Sequence, residues 1–202
     1  MSLRSSHLLV AALLAVTVTS TAASAQAPLG AERTMARLSP AEINILRNMS
    51  DANILGNLVA ADSFEVTLSD SAITHSQSDV VLAYAREVRA SHLSSMSAAR
   101  QIGRQTSIGV TMIVNGLSRR HVFAPEDSVT TASDYTIDRH YIVQQVEMHR
   151  HMLAELMLLQ DVAKNQRVKD HVGAAIPVEQ AQLDKAYALA KTKGIQLKAM
   201  KE

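Results

Sequence analysis

The chain has 202 residues, with 20 Lys and Arg against 19 Asp and Glu, two Phe, four Tyr, no Trp and no Cys. So even a balance offers no broad electrostatic footprint for phosphate backbones, which argues against a nucleic-acid partner. The absence of cysteine excludes disulfides, thiolate nucleophiles, a lipoprotein anchor and cysteine-bound zinc or iron–sulfur sites.

The segment Met1 to His7 is short and basic through Arg4, an apolar run follows from Leu8 to Val18, and Ala23-Ser24-Ala25 has the small-x-small pattern that a signal peptidase accepts. Cleavage before Gln26 is expected. The apolar run is too short for a membrane span and no second run reaches spanning length, so the mature chain is expected in the periplasm or outside the cell. An envelope protein is the kind of partner that compartment offers. Removing Arg4 and no acid leaves 19 basic and 19 acidic side chains, a formally neutral mature protein. About 177 residues then remain, enough for one domain with a sizeable core of Leu, Val, Ile, Ala and Met. The expected organisation is a signal peptide (1–25), a flexible leader (26–38), a helical-bundle domain (39–193) and a disordered basic tail (194–202).

Ser39-Pro40-Ala41-Glu42 reads as an N-cap, a proline at the first helical position and an early acid, predicting a short helix from Pro40 to Met49. Ser50 or Asp51 can cap a longer helix whose apolar face carries Leu58, Ala61, Leu68 and Ala72, failing in the polar cluster Thr74 to Ser78. The next helix is predicted from about Asp79 to Gly103, with Val81, Ala85, Val88, Ser95 and Ala99 on one face and Gly103 as its stop. Periodicity breaks down from Arg104 to Ala132, a long middle connection with an apolar patch at Val110 to Leu117; its length makes it a candidate lid or crossover. A third long helix, starting near Ser133, Asp134 or Asp138, carries Ile142, Gln145, Val146, His149, Met152, Leu153, Leu156 and Leu159 inward. A fourth helical region runs from Arg167 to about Thr192, lined by Val178, Gln182, Ala186 and Leu189. Pro177 is expected either to kink it or to begin a separate helix.

Glu65, His92, His149 and Gln182 each fall on the core-facing stripe of a different long helix. In a bundle, inward side chains at similar depth meet on the axis. One carboxylate and two neutral imidazoles are a sufficient ligand set for a single zinc, copper, manganese or iron ion, with Gln182 or water completing the shell. The plainer reading is a hydrogen-bonded polar core. No Glu-x-x-His pair is present, which disfavours the di-iron centre of carboxylate bundles.

Asp138-Arg139-His140-Tyr141 followed by Gln145-Val146 and His149 resembles the D-x-x-Y-x-x-x-Q-V-x-x-H signature of exported bacterial proteins grouped as domain of unknown function 4142, a ferritin-like helical family. Tyr84-Ala85 with His92 resembles that family's F-A-x-x-M-x-x-D-H segment, Ile176-Pro177 with Gln182 its L-P-x-x-x-x-H segment, and Glu65 lies where it has a first-helix glutamate. The resemblance covers most of the mature chain and implies an all-α, ferritin-like four-helix bundle with a short N-terminal helix. It implies no settled activity. Two positions depart from the pattern: Ser91 stands in place of an acid and Gln182 in place of a histidine, which implies a centre with one fewer anion and one fewer nitrogen ligand.

Met148 and Met152 share a helix face as a copper site might use, but methionines at that spacing are ordinary core filler. His151, four residues after Glu147, reads as an exposed helix pair, and Asp138 and Tyr141 are placed to hydrogen-bond at the start of their helix. No Gly-x-Ser-x-Gly elbow or phosphate loop exists, and Glu65 is the one acid read as inward, so binding rather than catalysis is expected.

Overall fold

A computed structural model describes residues 38–111 and 137–197. The expected signal peptide, nearly all of the leader and most of the middle connection lie outside these residues. Among the described residues there are five helices and no strand: α1 (Pro40–Arg47), α2 (Asp51–His75), α3 (Asp79–Thr106), α4 (Ile137–Val162) and α5 (Gln166–Thr192). No helix among them is long and apolar enough to cross a membrane. The protein is an all-α helical bundle.

The helix starts follow from local chemistry. Ser39 accepts from the Glu42 backbone N–H at 3.3 Å while the Glu42 carboxylate accepts from the Ser39 N–H at 2.6 Å, a reciprocal capping box with Pro40 at the first helical position. Ser50 and Asn53 repeat the arrangement at α2. Replacing Ser39 by Ala strips one acceptor from the free N–H groups of α1 and is expected to lower stability by about 1 kcal/mol, read from a denaturant midpoint. An unchanged midpoint would mean that α1 is held by its packing alone. Asp51 also accepts from the backbone N–H groups of Lys164 and Asn165, at 2.9 and 3.0 Å, fixing the tight α4–α5 turn against the start of α2.

The helices pack as two hairpins, α2 against α3 and α4 against α5, with α3 and α5 meeting across the pair. Two apolar clusters hold them together. One gathers Leu46, Ile54, Leu55, Leu58, Ala99, Leu156, Leu159, Val168 and Val172; the other gathers Ala72, Val81, Tyr84, Val88, Ile142, Val146, Leu153, Leu183 and Ala186. Along α2, α3 and α5 the first cluster gives way to the second across a short polar stretch, and that stretch positions the site.

Three expectations are corrected. Gly103 does not stop α3, which runs on to Thr106 and ends at Ser107 in the left-handed region, φ 56°. Gly103 is needed instead for close approach, because a Cβ there would lie 2.8 Å from Val110 Cγ2 and 3.0 Å from the Ile108 carbonyl. Residues 107–111 double back over it, and the Thr111 N–H donates to the Ala52 carbonyl at 3.1 Å. Of the two outcomes expected at Pro177, a separate helix does not form: α5 is continuous through it. The bond lost with the proline N–H is offset by buried side chains on both sides, Val168 and Val172 before it and Leu183 and Ala186 after it. Val178 does not line the interior but is 42% exposed. Past Gly194, whose φ is 63°, Ile195 donates to the Ala190 carbonyl, and Ile195 and Leu197 pack against the second cluster, so the chain stays on the body as far as Leu197.

Candidate metal centre

Glu65 from α2, His92 from α3 and His149 from α4 converge. All three are buried, and one ligand atom of each lies within 4.8 Å of the others. The imidazoles lie nearly parallel, 17° apart with centroids at 6.0 Å. Tetrahedral coordination at ordinary metal–nitrogen lengths puts donor atoms roughly 3.4 Å apart. Closing from the observed separation asks for side-chain adjustment on the scale of an ångström.

Each imidazole is oriented by a carboxylate from the other helix of its own hairpin. His92 Nδ1 donates to Asp62 Oδ1 at 2.8 Å, and His149 Nδ1 donates to Glu179 Oε2 at 2.6 Å. Tying Nδ1 directs Nε2 of both rings into the cluster, the tautomer that a metal-binding histidine needs. His92 Nε2 and Glu65 Oε1 are buried without a hydrogen-bond partner, as are Asp62 Oδ2 and the Gln182 side-chain oxygen. Sealed polar atoms lacking a partner are costly, and their presence at one point calls for an explanation. Gln145 supplies a partial closure: its amide donates to Glu65 Oε2 at 2.6 Å, while its carbonyl oxygen lies 3.0 Å from His149 Nε2 and accepts from the Tyr84 hydroxyl at 3.3 Å.

Three buried carboxylates face two imidazoles, and this sets the electrostatics. Burial raises the Glu65 carboxyl above its ordinary range, outweighing the opposing pull of His149, His92 and the Gln145 amide. For Glu179 burial acts in the same sense but loses to the hydrogen bond and charge of His149 and the charge of His92, so its carboxyl is held below the ordinary range. His92 is depressed by burial, yet the Asp62 hydrogen bond and the surrounding Glu179, Glu65 and Asp62 lift it from 6.5 to about 9. Burial raises the phenols of Tyr84 and Tyr141, so both stay protonated hydrogen-bonding groups and not phenolate ligands.

A raised histidine pKa means that the folded state holds its proton more tightly than the unfolded chain. The stabilisation is complete below pH 6.5 and is lost as pH rises through about 9. A raised Glu65 acts in the same direction. Metal-free protein is therefore expected to lose stability on the order of 3 kcal/mol between pH 6 and 9, checked by melting in chelator. A flat or rising profile would contradict the charge assignment of His92.

Glu65, His92 and His149, singled out from the sequence, lie together in the structure. Gln182 is buried on α5, with its backbone carbonyl accepting from the Tyr84 hydroxyl at 3.0 Å. The expectation that Glu65 is the one inward acid is overturned by Asp62 and Glu179, at 2% and 4% exposure. Helical spacing carried the signal for both: Asp62 lies three residues before Glu65, and Glu179 three before Gln182. The position next to Glu179 was read as inward because it is a valine. Ser91 does not leave His92 without an anionic neighbour, since Asp62 supplies one from α2. His151 is not exposed, and Glu147 is one of three acids whose charge acts on it. The imidazole is mostly buried, 3.2 Å from Glu155 and 3.6 Å from Glu42, and joins α1 to α4. Met148 and Met152 are buried. Asp138 and Tyr141 bond to α2 and its following turn, accepting from Ser76 at 2.5 Å and meeting Ser69 at 3.1 Å.

Two helical hairpins enclosing a layer of carboxylates and imidazoles between two apolar clusters define a helical-bundle protein with a buried Glu/His centre. The chain belongs to the family described as Domain of unknown function (DUF4142), whose profile matches residues 36–189. Searches of curated proteins and of solved structures return no match.

Proposed function

We propose that this protein is an exported, ferritin-like metal-binding bundle that holds one transition-metal ion between Glu65, His92 and His149. The observation that carries this reading is the pair of imidazoles, each held at Nδ1 by a carboxylate, that converge with the buried Glu65 so that one ligand atom of each lies within 4.8 Å of the others. A set of two imidazole nitrogens and one carboxylate oxygen suits zinc, iron, manganese or copper, with Gln182 or water as the remaining ligand. The bound ion would supply positive charge to a layer rich in buried carboxylates. Asp62 and Glu179 hold the rings, and Gln145 keeps Glu65 turned inward. Because the ion replaces the proton on His92, its affinity rises with pH over the window in which the metal-free fold weakens.

A second reading, a hydrogen-bonded polar core serving an envelope interaction module, is supported by Gln145, whose side-chain amide links Glu65 to His149. Metal analysis decides between the two. Protein purified without a histidine tag is expected to carry one transition ion per chain and to melt at higher temperature with zinc, copper, manganese or iron. No ion and no thermal shift with any of the four would overturn the metal reading.

A further inference from the structure

Between α3 and α5 the bundle is breached by a cavity of about 340 Å³. Its most deeply buried lining residues are His92 and Glu179, and its rim includes the exposed Ser94, Ala174 and Val178. Small side chains, Ser91, Ser95, Ala98 and Ala175 among them, leave this gap in an otherwise packed interface. Its innermost wall is therefore a face of the candidate metal centre, which the other helix contacts seal.

The lining chemistry selects for a cation. Glu179 Oε1 lies 3.8 Å from His92 Nε2, and Asp62 and Glu65 stand behind that imidazole, so an anion moving inward would meet three carboxylates. His171 adds a second imidazole to the wall, and its buried Nε2 has no hydrogen-bond partner. Burial pulls that ring below its ordinary range, which leaves a lone pair on it at neutral pH. Serine hydroxyls on the opposite wall can replace waters of a hydrated ion as it sheds them.

We propose that this cavity is the vestibule through which a partly hydrated divalent transition cation reaches the buried cluster, passing His171 and Glu179 Oε1 to His92 Nε2. The inference rests on the reading that Glu65, His92 and His149 bind an ion. It adds a route and assigns His171 a part in it.

The test separates rate from affinity, using Co²⁺ uptake followed by its visible absorption in stopped flow. Ser94→Leu with Ala174→Leu places bulk at two exposed rim positions and touches no ligand. Association and dissociation are both expected to slow about tenfold, the effect of a barrier raised by ~1.4 kcal/mol, while the equilibrium constant stays unchanged. Unchanged association in a variant that melts like the parent would overturn the vestibule, as would weakened affinity with unchanged association. If the double variant fails to fold by circular dichroism, Ala174→Leu alone gives the same comparison at a single exposed position. Wild-type protein that takes up neither Co²⁺ nor any of zinc, copper, manganese and iron at equilibrium sinks the binding reading and the route with it. Wild-type uptake that the plugged variant matches in rate sinks only the route.

Discussion

Protein carrying His92→Ala is expected to lose its bound ion, with affinity falling by more than the roughly 10–100-fold that follows loss of an orienting partner. His92 is the most direct candidate ligand to remove. Its Nε2 is buried with no hydrogen-bond partner, whereas His149 Nε2 already meets Gln145. Deleting the ring also strands Asp62, whose Oδ1 loses its donor, so the variant should melt lower even without metal. The two effects are separated by measuring ion content and metal-free melting on the same sample. His75→Ala, at an exposed position near the end of α2, is the matched control and should keep its ion. Full ion content in His92→Ala would remove His92 from the ligand set.

Glu179→Ala should cause a large loss of stability in the metal-free protein. The carboxylate accepts from His149 Nδ1 at 2.6 Å with both side chains buried, so truncation leaves a buried donor without its acceptor. Stranding the buried donor of a hydrogen bond to a charged acceptor, with the cavity left by the side chain, costs about 3 kcal/mol or more, a large share of the 5–15 kcal/mol typical of a whole domain. Glu179→Gln keeps an acceptor for the ring but removes the charge, and is expected to cost about 1–3 kcal/mol. Denaturant titration of both variants in chelator checks the order. Equal losses would mean that shape and an acceptor do not suffice without the charge of Glu179, whereas a Gln variant as stable as the parent would mean that the charge matters little.

The helical class and most helix limits were legible because they depend on local chemistry. Ser39-Pro40 with Glu42, Ser50, and the polar run at Thr74 to Ser78 each mark an end by satisfying or abandoning backbone groups, and the helices obey them. Gly103 misled because it was read by backbone preference, and tertiary contact overrode it. Gly103 is small because residues 108–110 lie against it, and Pro177 is tolerated because α5 is packed on both sides of it. Three ligand candidates were legible because polar side chains interrupt apolar stripes at His92, His149 and Glu65. The orienting acids were not, because a stripe 100° wide admits two neighbouring positions, and apolarity favoured Val178 over Glu179. Recognising Asp62 as the partner of His92 required knowing that α2 faces α3, which no single helix encodes.

The division of the cluster between the hairpins has a topological consequence. Glu65 and His92 lie in the first hairpin and His149 in the second, so neither alone offers three ligands. An ion held by all three would close a loop between positions 92 and 149, restricting the unfolded chain as a covalent bridge does. In a sequence without cysteine, that coordination would act as a reversible cross-link, formed where a cation is supplied and opened by a chelator.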